Sequence, residues 1–170
     1  CTLVRNSVGR LCVRMGLRYV KGLSLVDGVR IEEERKRGAF RSVRDFVRRL
    51  PCNLGILERL VSAGSFASLR TSRRQALWDV RSAVREKNDT LAMERKEIEP
   101  TFMGLEQLES VLWDYHYSSH SVRGHPLSFL RSQLRKSAFL NAAQVRALPD
   151  GSNLRYAGIV LCRQRPGTAG

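Results

Sequence analysis

Little in these 170 residues is aromatic, acidic or continuously apolar. Phe, Trp and Tyr make up 7% of the chain. No apolar run approaches the roughly 20 residues a membrane-spanning helix requires, which excludes such a helix. The first ten residues hold neither an initiating Met nor an apolar segment of the kind that opens a secreted precursor. The sequence is therefore expected to be a piece of a longer, cytoplasmic chain. Cysteine is sparse: Cys1, Cys12, Cys52 and Cys162 form no C-x-x-C pair, which argues against a zinc ribbon or a thioredoxin-like site and for reduced thiols. The six aspartates (27, 45, 79, 89, 114 and 150) stand far apart with no D-x-D pair, and Glu32 to Glu34 read as a solvated helix face. Closely spaced carboxylates able to hold two catalytic metal ions are thus missing. His116 and His120 lie four apart, a spacing that puts two imidazoles on one helix face. Two ligands do not complete a tetrahedral site, and no Glu follows His116 as a metalloprotease helix requires.

Positive charge is what the chain has in excess. Thirty Lys and Arg face sixteen Asp and Glu, a formal net charge of +14 with an isoelectric point near 10.8. A polyanionic partner follows. Residues 1–50 hold 13 basic and 5 acidic side chains, more than half of the excess, so the polyanion is expected to dock on the first third. Arg outnumbers Lys 25 to 5; either guanidinium forks grip phosphate, or the source genome favours arginine codons.

Apolar spacing predicts a succession of short helices until the last twenty residues. Helical stretches over 16–21 and 25–37 flank the turn Gly22-Leu23-Ser24, and Gly38 closes the second. Ser42 with Asp45 has the form of a capping box opening a short helix that ends before Pro51. Leu54, Leu57, Leu60 and Val61 form an apolar stripe stopped by Gly64, after which Phe66 and Leu69 tuck back onto the core. Ser72 with Gln75 caps a helix through about Glu86, with Leu77, Val80 and Val84 inward. Leu105, Leu108, Leu112 and Tyr115 mark another helix, His125-Pro126 starts the next, and Asn141 caps one more. Residues 154–162, rich in β-formers, are the one strand predicted. A strand needs a neighbour for its backbone groups, so the sequence is expected to end inside a domain.

The stretch from Val20 to Ile31 carries the chemistry. It has the pattern of a helix-hairpin-helix: Gly22 allows a positive φ and close approach to a ligand, and Leu23 plugs the space between the helices. Outward amides of the turn then donate to phosphate, aided by the helix dipole and by Lys21 or Arg30. Ser24 stands where a second glycine is usual, and its hydroxyl can cap the helix with Asp27 as box partner. The candidate DNA-binding residues are Lys21, Gly22, Leu23, Ser24 and Arg30. Such a module contacts the backbone rather than base edges, so it binds nucleic acid with little sequence preference.

Residues 18–50 (RYVKGLSLVDGVRIEEERKRGAFRSVRDFVRRL), followed by LERLVSAGSFASL and RRQALW, closely resemble the region after the fingers of bacterial C-family DNA polymerases of the polymerase III alpha-subunit type. Cys1-Thr2-Leu3, SVRGHPLSFL at 121–130 and LPDGSNLRYAGIVLCRQRPGTA at 148–169 are similar to the error-prone branch, which serves damage-induced translesion synthesis. The resemblance implies a mainly α fold: a tandem helix-hairpin-helix domain that holds duplex DNA over residues 1–86, a linker at 87–100, a helical connector at 101–150, and the first strand of an incomplete OB-fold at 151–170. The second hairpin, around Ala63-Gly64-Ser65-Phe66, matches less well. Nucleotidyl transfer and its Mg2+ would belong to a catalytic core preceding Cys1, with no cofactor or metal held by these residues. Other translesion-synthesis proteins and the sliding clamp are the implied protein partners, and no membrane is implied. Two rivals remain. One is a helix-hairpin-helix DNA repair protein such as a base-excision glycosylase, whose Gly-Pro-Asp turn is here Gly38-Ala39-Phe40. The other is a basic nucleic-acid-binding structural protein, which would bind RNA at least as well as DNA.

Overall fold

A computed structural model describes residues 1–69, 71–88, 100–160 and 162–163. Two compact units divide the chain, Cys1–Arg123 and Gly124–Gly170. The first opens with an antiparallel hairpin that the helical reading of the sequence did not anticipate: β1 (Thr2–Arg5) pairs with β2 (Leu11–Arg14), Leu3 opposite Val13 and Val4 opposite Cys12. The turn is built locally. The Asn6 side chain accepts from the amides of Val8 and Arg10, and Gly9 takes a φ of 76°.

Residues 16–21, expected as a helix, form only a 3-10 turn over Leu17–Tyr19. Too few residues lie between Gly16 and Gly22 to offset the entropic cost of a helical nucleus. Beyond the hairpin turn, helices α1 (Leu25–Lys36), α2 (Val43–Arg49), α3 (Leu54–Ser62) and α4 (Arg73–Asn88) follow the predicted stripes closely. Their caps are as the local sequence demands. Ser42 Oγ accepts from the Asp45 amide at 3.0 Å, Ser72 Oγ from the Gln75 amide at 3.2 Å, and Asn53 Oδ1 from the Ile56 amide at 2.9 Å. An Asn or Ser at such a position is worth about 1 kcal/mol over Ala.

Between these helices lies a core that includes Ile31 of α1, Phe46 and Val47 of α2, Leu57, Leu60 and Val61 of α3, and Val80 of α4. Leu57 and Val80 are completely buried; each such side chain contributes about 1.5–3 kcal/mol. Phe66 tucks in as expected, meeting Phe46 edge-on at 4.9 Å between ring centroids. Arg49 ties the end of α1 to α2. Its guanidinium donates to the carbonyls of Glu34 (2.6 Å) and Gly38 (3.0 Å) and to the Glu34 carboxylate (3.0 Å), and it lies over the Phe40 ring. Glu34 is therefore a packed anchor rather than part of a solvated face.

Helix α5 (Gln107–Ser118) completes the first unit. Its inward residues are Val111 and Asp114, whereas Leu112, expected in the apolar stripe, is 51% exposed. Asp114 is drawn inside by an ion pair with Arg73, and this turns the helix face by about one residue. The expected linker falls largely on residues 89–99, outside the described residues.

In the second unit, α6 (Pro126–Lys136) is opened by His125, whose Nδ1 accepts from the Leu127 amide. Asn141 and Gln144 form a complete capping box at the start of α7 (Ala142–Arg146). The strand predicted over 154–162 is not formed among the described residues. The segment makes one isolated parallel bridge, Leu140 to Tyr156, with the Leu140 amide donating to the Arg155 carbonyl at 2.9 Å. Its β-forming residues have no adjacent strand there to complete a ladder. Among the described residues no helix is long and apolar enough to cross a membrane.

Candidate nucleic-acid interface

The hairpin turn is fixed at both ends. Val20, 7% exposed, anchors it in the core, and the Leu23 amide donates back to the Val20 carbonyl at 3.1 Å across Gly22, whose φ of 76° is in the left-handed region that favours glycine. Leu23 is half-buried against the core, the plug position expected of it. Ser24 caps α1: its Oγ accepts from the Asp27 amide at 3.0 Å and donates to the Asp27 carboxylate at 2.6 Å. This turns Asp27 back onto the helix start, where it also lies 4.0 Å from Arg30. The amides of Leu25 and Val26, in the first turn of α1, have no acceptor among the described residues, and both side chains are exposed. Orphan donors at a helix start favour an anion.

Of the five sequence-predicted residues, Lys21, Gly22, Leu23 and Ser24 are contiguous in this turn, and Arg30 stands on α1 with its side chain 54% exposed. Lys21 is placed differently from its expected role. Its amide donates to the Tyr117 carbonyl at 2.9 Å and its ammonium to the Tyr115 carbonyl at 3.2 Å, so it binds the C-terminal turn of α5. A cation there meets the negative end of the helix dipole, on a carbonyl that also accepts from the Ser119 amide.

A further arginine that sequence reading missed lies across the turn. A Cβ built on Gly22 falls on Nη1 of Arg59, from α3, and 2.6 Å from its Cζ. Arg59 is exposed, and among the described residues it makes no hydrogen bond or ion pair. The one sequence signal for it was a lone cation in the apolar run LGILERLVS.

The second turn repeats the arrangement with a different outcome. Gly64, at a φ of 79°, ends α3 in a Schellman motif: Ser65 N–H donates to the Leu60 carbonyl and Gly64 N–H to that of Val61. A Cβ on Gly64 would lie 2.7 Å from Nη2 of Arg73. This arginine is largely enclosed, its side chain 10% exposed, and engaged, donating to the Asp114 carboxylate and, at 3.2 Å, to the Ser110 carbonyl. Ser121 donates to Asp114 at 2.6 Å and Arg123 at 3.1 Å. Burial by itself pushes the Asp114 carboxyl up, but the hydrogen bonds from Ser121 and Arg73 and the charges of Arg73 and Arg123 outweigh it, and the group is held below the usual carboxylate range.

The two histidines do not share a helix face. Ser119 takes a φ of 63° and ends α5, so His120 leaves the helix, meets Tyr19 edge-on, and has Nδ1 2.7 Å from the Ser118 carbonyl. No cluster of three or more His, Cys, Asp or Glu able to hold a metal ion occurs among the described residues.

Residues 1–76 match the family model described as a helix-hairpin-helix motif. The chain is 34% identical to an error-prone DNA polymerase of Methylococcus capsulatus, covering 92% of this chain and 15% of that one. It is also 34% identical to error-prone DNA polymerase 2 of Agrobacterium fabrum (99% of this chain, 17% of that one) and 36% identical to error-prone DNA polymerase 1 of Rhizobium meliloti (94% and 15%). The chain thus spans about one sixth of the length of these relatives. It is homologous, over nearly its whole length, to a helix-hairpin-helix-bearing segment of the error-prone DNA polymerases.

Proposed function

We propose that this segment grips duplex DNA by its phosphates, without regard to sequence, within a polymerase that copies damaged templates. The observation that carries the reading is the exposed turn at Gly22-Leu23-Ser24, where the Leu25 and Val26 amides lack acceptors beside the exposed Arg30. A phosphate oxygen is the acceptor that suits orphan amides at a positive helix end, and the net charge of +14 favours the same partner. Ser24 shapes the turn and ties the Asp27 carboxylate to the start of α1, where Arg30 lies 4.0 Å from it. Lys21 acts one step back, holding the turn to α5. The grip supplies position, and nucleotide incorporation belongs to parts of the relatives that this chain does not span.

Anisotropy titrations of the chain with labelled duplexes of unrelated sequence test this. If about three phosphates are neutralised, log K falls with log salt at a slope of roughly −3, alike for every sequence. Salt-insensitive binding, a marked preference for one duplex, or tighter binding to RNA of the same length would overturn the proposal.

A further inference from the structure

We infer that Arg59 is the side chain that clamps a DNA phosphate at the first hairpin, and that the second hairpin takes none because the fork of its matching Arg73 is already occupied by Asp114 and the Ser110 carbonyl. The inference rests on the proposed phosphate grip and assigns the residues that perform it.

The two turns make an internal comparison. Each has a glycine in the left-handed region with a guanidinium packed across it, at the Cβ position itself at Gly22 and 2.7 Å from it at Gly64. At Gly64 that guanidinium has a buried carboxylate, a carbonyl and two helpers around the carboxylate, so its fork is closed to an outside anion. At Gly22 it faces solvent without a partner among the described residues. Most arginines of α2 and α4 are otherwise placed. Arg44 pairs with Glu86, Arg48 with Asp45, Arg49 with Glu34, Arg74 with Glu109 and Arg81 with Glu58. Arg59 stands out as a planar fork laid against exposed backbone, three residues before the open Leu25 amide. A phosphate held by those amides comes within the same turn as the fork, which suits bidentate recognition.

The test measures duplex affinity, salt slope and melting temperature of the 170-residue chain in four variants. Arg59→Gln is expected to weaken binding roughly tenfold and make the salt slope shallower by about one, with melting unchanged. Arg59→Lys keeps the charge without the fork and is expected to restore the slope but only part of the affinity. Leu25→Glu puts a carboxylate at an exposed position in the first turn of α1, where the dipole favours it in the fold but it repels phosphate; a loss of about tenfold is expected. Ser65→Glu, at the second turn, is expected to change affinity less than about twofold. If Leu25→Glu weakens binding but Arg59→Gln does not, the grip stands and the assignment to Arg59 is wrong. If the chain binds DNA and neither matters, the first hairpin is not the grip. A loss at Ser65→Glu equal to that at Leu25→Glu would overturn the sealed second hairpin.

Discussion

Replacing Gly22 by Ala separates the backbone role of the turn from its contact with Arg59. The backbone cost comes from φ at 76°, where an L-residue loses about 1–2 kcal/mol. The contact cost comes from the new Cβ, which falls on Arg59 Nη1 and forces the guanidinium away. That displacement breaks no hydrogen bond among the described residues and moves an exposed group, so it adds little to unfolding. Stability should therefore fall by about 1–2 kcal/mol, and by the same amount when Arg59 is already Ala. DNA affinity should behave in the opposite way: a clear loss in the Arg59 background, and a much smaller one in Arg59→Ala, because the clamp that the Cβ displaces is gone. Urea unfolding followed by tryptophan fluorescence suits the stability arm, since both tryptophans, Trp78 on α4 and Trp113 on α5, report on the first unit. Anisotropy with a labelled duplex supplies the affinity arm. A stability coupling above about 1 kcal/mol between the two positions would make Arg59 a structural residue. Equal affinity losses in both backgrounds would refute the reasoning about the clamp.

Asp114→Ala leaves the largely enclosed Arg73 with only the Ser110 carbonyl as acceptor, and unfolding free energy should drop by about 3 kcal/mol, measured by urea denaturation. Because the Asp114 carboxyl titrates below its ordinary range in the folded chain, its contribution is complete above the unfolded-state value and disappears as pH falls through the lower folded one. The parent's melting temperature should accordingly decline in acid more steeply than that of Asp114→Asn. Lys21→Ala should lower stability by about 0.3–1 kcal/mol through loss of its bond to the end of α5 while leaving the salt slope of DNA binding unchanged, as read from melting and titration in parallel. Burial, assisted by the charge of Asp27, pushes the Cys52 thiol up, so iodoacetamide at pH 8 should alkylate it more slowly than the exposed Cys1, with peptide mass spectrometry as the readout.

Much of the helical architecture was legible from the residues because its determinants are local. Ser42 meets the amide three residues on, as do Asn141 and Ser72, and Gly64 ends α3 through bonds reaching back no more than five residues. The turn at Gly22-Leu23-Ser24 belongs to the same class, and the candidate site is legible in the sequence for that reason. Where a partner lies far along the chain, sequence patterns were silent or misleading. The residues of β1 needed β2 to become a strand, whereas the stronger β-formers of 154–162 found one bridge. The face that α5 presents was decided by Arg73, 41 residues away, pulling Asp114 inward and leaving Leu112 outside. The same holds for charge. Lys21 and Arg59 both look like free cations in the sequence, and only packing sent the first to the carbonyls of α5 and laid the second across Gly22. Caps and turns are set by dihedral preferences and hydrogen bonds within a few residues, while the destination of a long charged side chain depends on which distant backbone or carboxylate the folded core brings within reach.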